Sequence, residues 1–152
     1  EIINITRLIG LSLFGNLLQG NMPAEIGSLK NLEYLDLSSN NLTGQIPRLI
    51  EHCLKIHFLK LSHNHLNGTI PIELGMLVNL QDMLDLSDNS IVGSIPSLLG
   101  DLGMLEALNL SQHIKQISVD ISSLNKITPK ECPNSISYKK HITYKKHLDG
   151  PQ

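Results

Sequence analysis

Residues 35–47 read LDLSSNNLTGQIP and residues 59–71 read LKLSHNHLNGTIP, so the chain writes one phrase twice with the same letters fixed. Asn16, Asn40 and Asn64 are 24 residues apart and Asn89 follows at 25; Gly20, Gly44, Gly68 and Gly93 keep the same step, as do Pro23, Pro47, Pro71 and Pro96. A period of this size specifies a stack of units, each burying its apolar face only against its neighbours. Fixed positions face inward, and free positions face solvent or a partner. The extra residue of the fourth unit falls near Gln81, because Leu59 and Leu61 align with Leu84 and Leu86. A one-residue bulge at the start of that strand is expected.

Each fixed position has a physical task. Leu35 and Leu37 alternate in a short strand and point to one face, while Asp36 points to the other. Asn16, Asn40, Asn64 and Asn89 form a structural ladder whose amides bond backbone groups of the turn and of the adjacent unit. Gly44 permits a tight bend, and Pro47 fixes φ where the backbone no longer donates to a sheet. Ile50, Leu74 and Leu99 fill the far side of a core that, with aromatics at 3% and no Trp, is built from Leu and Ile.

The pattern L-x-x-L-x-L-x-x-N-x-L-x-G-x-I-P, from Leu32 through Leu35, Leu37, Asn40, Leu42, Gly44 and Ile46 to Pro47, resembles the plant-specific leucine-rich repeats. The resemblance covers residues 1 to about 112. LEYLDLSSNNLTGQIP and LDLSDNSIVGSIPSLLGDLGMLEALNLS look like the ectodomains of plant leucine-rich-repeat receptor-like serine/threonine kinases. That resemblance implies a right-handed α/β solenoid, with parallel strands on the concave face and mostly loops or 3-10 turns on the convex face. It also implies a second short strand around L-x-G-x-I-P. The function implied is extracellular: perception of a peptide or protein ligand, or contact with a co-receptor, at the plasma membrane. The kinase of such receptors has no counterpart in this sequence. Two other readings stay open: a secreted inhibitor of the polygalacturonase-inhibitor type, and a truncated product without a selected role.

Three segments are expected: an array over 1–112 with about four complete repeats, a degenerate partial repeat over 113–125, and an irregular or disordered basic tail over 126–152. The array starts in mid-repeat, since Glu1-Ile2, Ile5, Leu8 and Leu11 match Glu25-Ile26, Leu29, Leu32 and Leu35. A fragment of a longer array is therefore expected, with apolar surface open at both ends. His113 stands where the Asn ladder would continue, and Ser118–Ser122 looks like a strand that comes too early. In the tail, Lys139, Lys140, Lys145 and Lys146 read as solvated charge.

A formal net charge of −2 gives no reason to expect nucleic acid as a partner. No apolar run reaches the roughly 18 residues a membrane helix needs, so no insertion by this chain is expected. No cofactor is expected either. His52, His57, His63 and His65 cluster in the third unit, but their spacing along the chain suits an exposed polar face better than convergence on one ion. No nucleophile elbow, phosphate loop or kinase signature is present, so the sequence predicts a binding module rather than an enzyme. Cys53 aligns with Leu29, Leu77 and Leu102 and reads as a buried small hydrophobe; a disulfide to Cys132 is the minor alternative.

The concave face holds the candidate binding residues Tyr34, Asp36, Phe58, Lys60, Met83 and Asp85. Stacking the units lines up Gly10, Tyr34, Phe58, Met83 and Ala107 in one column, and Ser12, Asp36, Lys60, Asp85 and Asn109 in the next. Exposed aromatics on neighbouring strands serve as anchors. In the second column, Lys60 between two carboxylates is expected to form a self-neutralising ladder. Asn4, Asn41, Asn67 and Asn109 begin N-glycosylation sequons, in keeping with a secreted array.

Overall fold

The computed structural model describes residues 5–110 and, as backbone, 141–143. The chain winds as an α/β solenoid with two parallel sheets. The larger runs in the order β1 (Gly10–Ser12), β3 (Tyr34–Asp36), β5 (Phe58–Lys60), β7 (Met83–Asp85), β8 (Ala107–Asn109) and β9 (His141–Thr143). The smaller joins β2 (Gln19–Asn21), β4 (Asn41–Gly44) and β6 (His65–Leu66). In the larger sheet Leu11, Leu35, Leu59, Leu84 and Leu108 stand opposite one another, the register set by the 24- and 25-residue steps. In the smaller sheet the pairing is Gln19 to Asn41 and Thr43 to His65, a step of 22, so these strands stagger by two residues per turn of the solenoid.

The far wall consists of 3-10 turns at Ala24–Ser28, Arg48–His52, Ile72–Met76 and Ser97–Asp101. Proline precedes each one, with φ between −59° and −69°, and its carbonyl accepts the first bond of the turn. A residue without an N–H and with φ already near helical values suits that place. The core lies between sheet and turns: Leu35, Leu59 and Leu84 from the strands meet Ile50, Leu74 and Leu99 from the turns, all wholly buried. Two turns approach so closely that Gly27 and Gly75 are needed, a constraint the periodic letters do not announce. A Cβ on Gly27 would strike the Leu49 carbonyl, and one on Gly75 would lie 2.7 Å from the carbonyl carbon of Leu98.

The asparagines stitch the turns together. Asn64 donates through Nδ2 to the carbonyls of Leu37, Leu61 and Ser62 at 3.0, 3.1 and 3.2 Å, and its Oδ1 accepts from the Leu42 amide at 3.0 Å. Asn40 and Asn89 repeat the arrangement, each reaching into the preceding unit. Asn16 is exposed, and its Nδ2 bonds only the nearby carbonyls of Leu13 and Phe14.

Several expectations change. The extra residue of the fourth unit, expected near Gln81, is Asp82. The Gln81 carbonyl accepts from Glu106, as those of Ile9, Glu33 and His57 accept from the next repeat, so the chain bends at Asp82 before β7. The tail read as irregular over 126–152 contains β9, paired in parallel with β8 from His141 opposite Ala107 to Thr143 opposite Asn109. An open sheet edge offers free backbone donors and acceptors, and His-Ile-Thr contains two β-branched residues that suit a strand. Apolar surface was expected at both ends of the array, but Leu108 and Leu110 are only 2% and 4% exposed, whereas Ile5, Ile9, Phe14 and Leu17 are open to solvent. Asn4, the partial repeat at 113–125 and the rest of the tail lie outside the described residues.

Cys53 is wholly buried and its Sγ donates to the Ile26 carbonyl at 3.3 Å. Burial raises its thiol pKa, a shift that Lys30 only partly offsets. A raised pKa and no access make a thiol inert. In native buffer Cys53 is expected to resist iodoacetamide and to react only after urea unfolding, as peptide mass mapping would show; rapid native labelling of Cys53 would overturn its placement in the core.

Candidate concave binding face

Strand alternation dictates the face. Within β3, β5 and β7 the central leucines turn inward, and the residues before and after them, Tyr34 and Asp36, Phe58 and Lys60, Met83 and Asp85, are carried to the other side. Tyr34 and Phe58 stand opposite each other in register, and their rings stack with centroids 4.4 Å apart and planes 14° from parallel. Both rings, Met83 and Lys60 remain half-buried. The Tyr34 phenol has its pKa raised by desolvation first, and then by the nearby Asp36 carboxylate.

The two aspartates differ from the other candidates. Asp36 is 8% exposed and Asp85 7%. Asp36 Oδ1 accepts from the Ser38 amide at 3.0 Å and the Ser38 hydroxyl at 2.5 Å; Asp85 does the same with Ser87 at 3.1 and 2.7 Å. Lys60 lies between them in register, yet among the described residues no ion pair joins it to either. The expected charge ladder is absent because each carboxylate is turned to the serine two residues on. The motif L-D-L-S carries this signal at Leu35–Ser38 and Leu84–Ser87, and the third repeat breaks it with L-K-L-S. There the Ser62 hydroxyl is buried and has no hydrogen-bond partner.

Beside the ring column, Glu33, Asp82 and Glu106 line the starts of the strands with exposed or half-exposed side chains. His57 sits among them, its Nδ1 at 2.6 Å from Asp82 Oδ2 and its Nε2 at 3.9 Å from Glu33 Oε2. An open cleft of about 280 Å³ adjoins, lined by Glu33, Lys55, His57, Asn79 and Gln81. Asp82 reaches His57 because it is the inserted residue, a link that spacing did not suggest. Beyond the strands, Ser39, His63 and Asp88 adopt positive φ of 52–55°, and His63 Nδ1 lies 3.2 Å from Asp88 Oδ2. Among the described residues no three His, Cys, Asp or Glu side chains converge to hold a metal, and no helix is long and apolar enough to cross a membrane.

Of the sequon residues, Asn41 and Asn67 are exposed on the side of the smaller sheet. Asn109 is half-buried in β8, and its Nδ2 donates to Ser87 Oγ at 3.2 Å, a bond that a glycan would displace.

Comparison with known proteins agrees with this geometry. The family described as Leucine Rich Repeat matches residues 31–53, 55–77 and 82–102. No curated protein sequence matches the chain. Among solved structures, it is similar to the ectodomain of the Arabidopsis thaliana membrane receptor kinase GASSHO1/SCHENGEN3 in complex with CASPARIAN STRIP INTEGRITY FACTOR 2, at 35% identity and a TM-score of 0.74 over 82% of this chain and 15% of that one. The Arabidopsis receptor kinase HAESA ectodomain, in complex with an N-terminally extended IDA peptide hormone, is 32% identical with a TM-score of 0.74 over 84% of this chain and 22% of that one. The Arabidopsis thaliana BIR2 ectodomain is 34% identical with a TM-score of 0.66 over 74% and 57%. The chain thus spans less than a quarter of the GASSHO1/SCHENGEN3 and HAESA ectodomains and just over half of BIR2. The chain carries leucine-rich repeats, and its likeness is to the ectodomains of plant leucine-rich-repeat receptor kinases.

Proposed function

We propose that the concave face around Tyr34, Phe58, Lys60 and Met83 binds a peptide or protein segment at the cell surface, as part of a receptor ectodomain that perceives a ligand or contacts a co-receptor. The observation that carries this reading is the half-buried Tyr34–Phe58 stack at the centre of the sheet. Paired aromatics on a rigid sheet place a large contact area at little entropic loss, as binding hot spots require. Support also comes from the similar ectodomains, two of which hold a peptide hormone or CASPARIAN STRIP INTEGRITY FACTOR 2. Asn41 and Asn67 are proposed as glycan sites in the same extracellular setting, on the side of the molecule away from these strands.

The test is selection of peptides from a displayed library of random nonapeptides on the full chain, followed by calorimetry of the recovered sequences. Phe58→Ala is expected to weaken them at least about tenfold, the loss of roughly 1.4 kcal/mol or more that a hot-spot ring supplies. If affinity were unchanged in both Phe58→Ala and Tyr34→Ala, the concave reading would be wrong.

A further inference from the structure

Three repeats present the same two positions, and one of them departs from the pattern. In the second and fourth repeats, aspartate and serine satisfy each other on the strand: Ser38 Oγ donates to Asp36, and Ser87 Oγ to Asp85. In the third repeat, lysine replaces the aspartate, and the Ser62 hydroxyl, in a residue 1% exposed, is left without a partner. A buried hydroxyl without an acceptor is destabilising, and an aspartate at position 60 would supply one. Local consistency is broken in this way mainly at functional positions.

We infer that Lys60 is the specificity-determining contact of the concave face, and that it selects a carboxylate on the bound peptide. This rests on the peptide-binding reading given above and deepens it. Lys60 is half-buried beside the stacked rings of Phe58 and Tyr34. Among the described residues of the concave strands it is the one lysine or arginine. Its carboxylate neighbours Asp36 and Asp85 are buried and bonded to their own serines, so the ammonium is the accessible charge of that column. On the opposite side of the rings, the carboxylates at the strand starts repel an anion. A ligand carboxylate is therefore directed to one side of the stack and one orientation along it, attraction and repulsion acting together. The group comes either from an acidic side chain or from the ligand's own C-terminus.

The experiment selects random nonapeptides in two display formats, one fused through the peptide's C-terminus and one leaving it free, on the full chain and on Lys60→Asp and Lys60→Gln. The expected pool is enriched in a carboxylate at a fixed distance from an apolar or aromatic residue. Its members lose about tenfold on Lys60→Gln and more on Lys60→Asp. Enrichment in the fused format assigns an acidic side chain, and binding only with a free terminus assigns the C-terminal carboxylate. Lys60→Asp should also melt about 2–5 °C higher than the natural chain by restoring the bond to Ser62. Peptides that lose affinity on Phe58→Ala but keep it on Lys60→Asp would overturn this inference and leave the concave reading standing. A pool rich in Lys and Arg would overturn the carboxylate chemistry, and a lower melting point for Lys60→Asp would overturn the argument from Ser62. Failure of any pool to bind, or indifference to Phe58→Ala, would overturn the concave reading and this inference with it.

Discussion

Asn64→Ala is expected to destabilise the array by about 1–3 kcal/mol. The estimate follows from what is stranded: the Leu42 amide loses its acceptor, while the carbonyls of Leu37, Leu61 and Ser62 each lose one of two donors and keep Asn40, Asn89 and the Ser39 amide, and an unsatisfied buried group costs about 1–3 kcal/mol before relaxation. Urea unfolding followed by circular dichroism measures it. Asn16→Ala serves as the internal comparison, because Asn16 is exposed and holds only local carbonyls; a loss below about 1 kcal/mol is expected there. Should Asn64→Ala lose less than about 0.5 kcal/mol, water must reach the freed groups and the ladder is not a sealed element.

The second large effect is Gly75→Ala, with an expected loss of about 2–3 kcal/mol. The obstacle is backbone: the added carbon would lie 2.7 Å from the carbonyl carbon and 2.9 Å from the carbonyl oxygen of Leu98, so a rotamer change cannot relieve it. The turns at Ile72–Met76 and Ser97–Asp101 would have to separate, thinning contacts around Leu74 and Leu99. Gly103→Ala has nothing within 4 Å of the new carbon and should be neutral or slightly stabilising. Equal melting points for the natural chain and Gly75→Ala would mean that the turns stand further apart than described.

Much of this fold is legible in the letters because a solenoid repeats its solution. The step of 24 fixed the register of the larger sheet, since misaligning two turns would set leucines against solvent positions. The tight packing at Gly27 and Gly75 was not legible: the second turn carries Glu51 in that place, so no unbroken glycine column marks it. The fate of Asp36 and Asp85 was hidden for another reason. Alternation predicts which side a residue takes, but not that a serine two positions on captures its carboxylate. The pairing of Asp82 with His57 depends on where one inserted residue bends the chain, and an alignment of leucines locates that bend only to within a residue or so.

The asparagine ladder also has a direction. Each of Asn40, Asn64 and Asn89 fastens its own turn to the one before it, so every repeat is anchored towards the N-terminus and none supplies that bond forward by itself. A turn is complete only when its predecessor is in place. Order therefore spreads through the coil like a zipper with a preferred sense of travel, and Asn16, which among the described residues bonds only carbonyls of its own turn, is its loosest tooth.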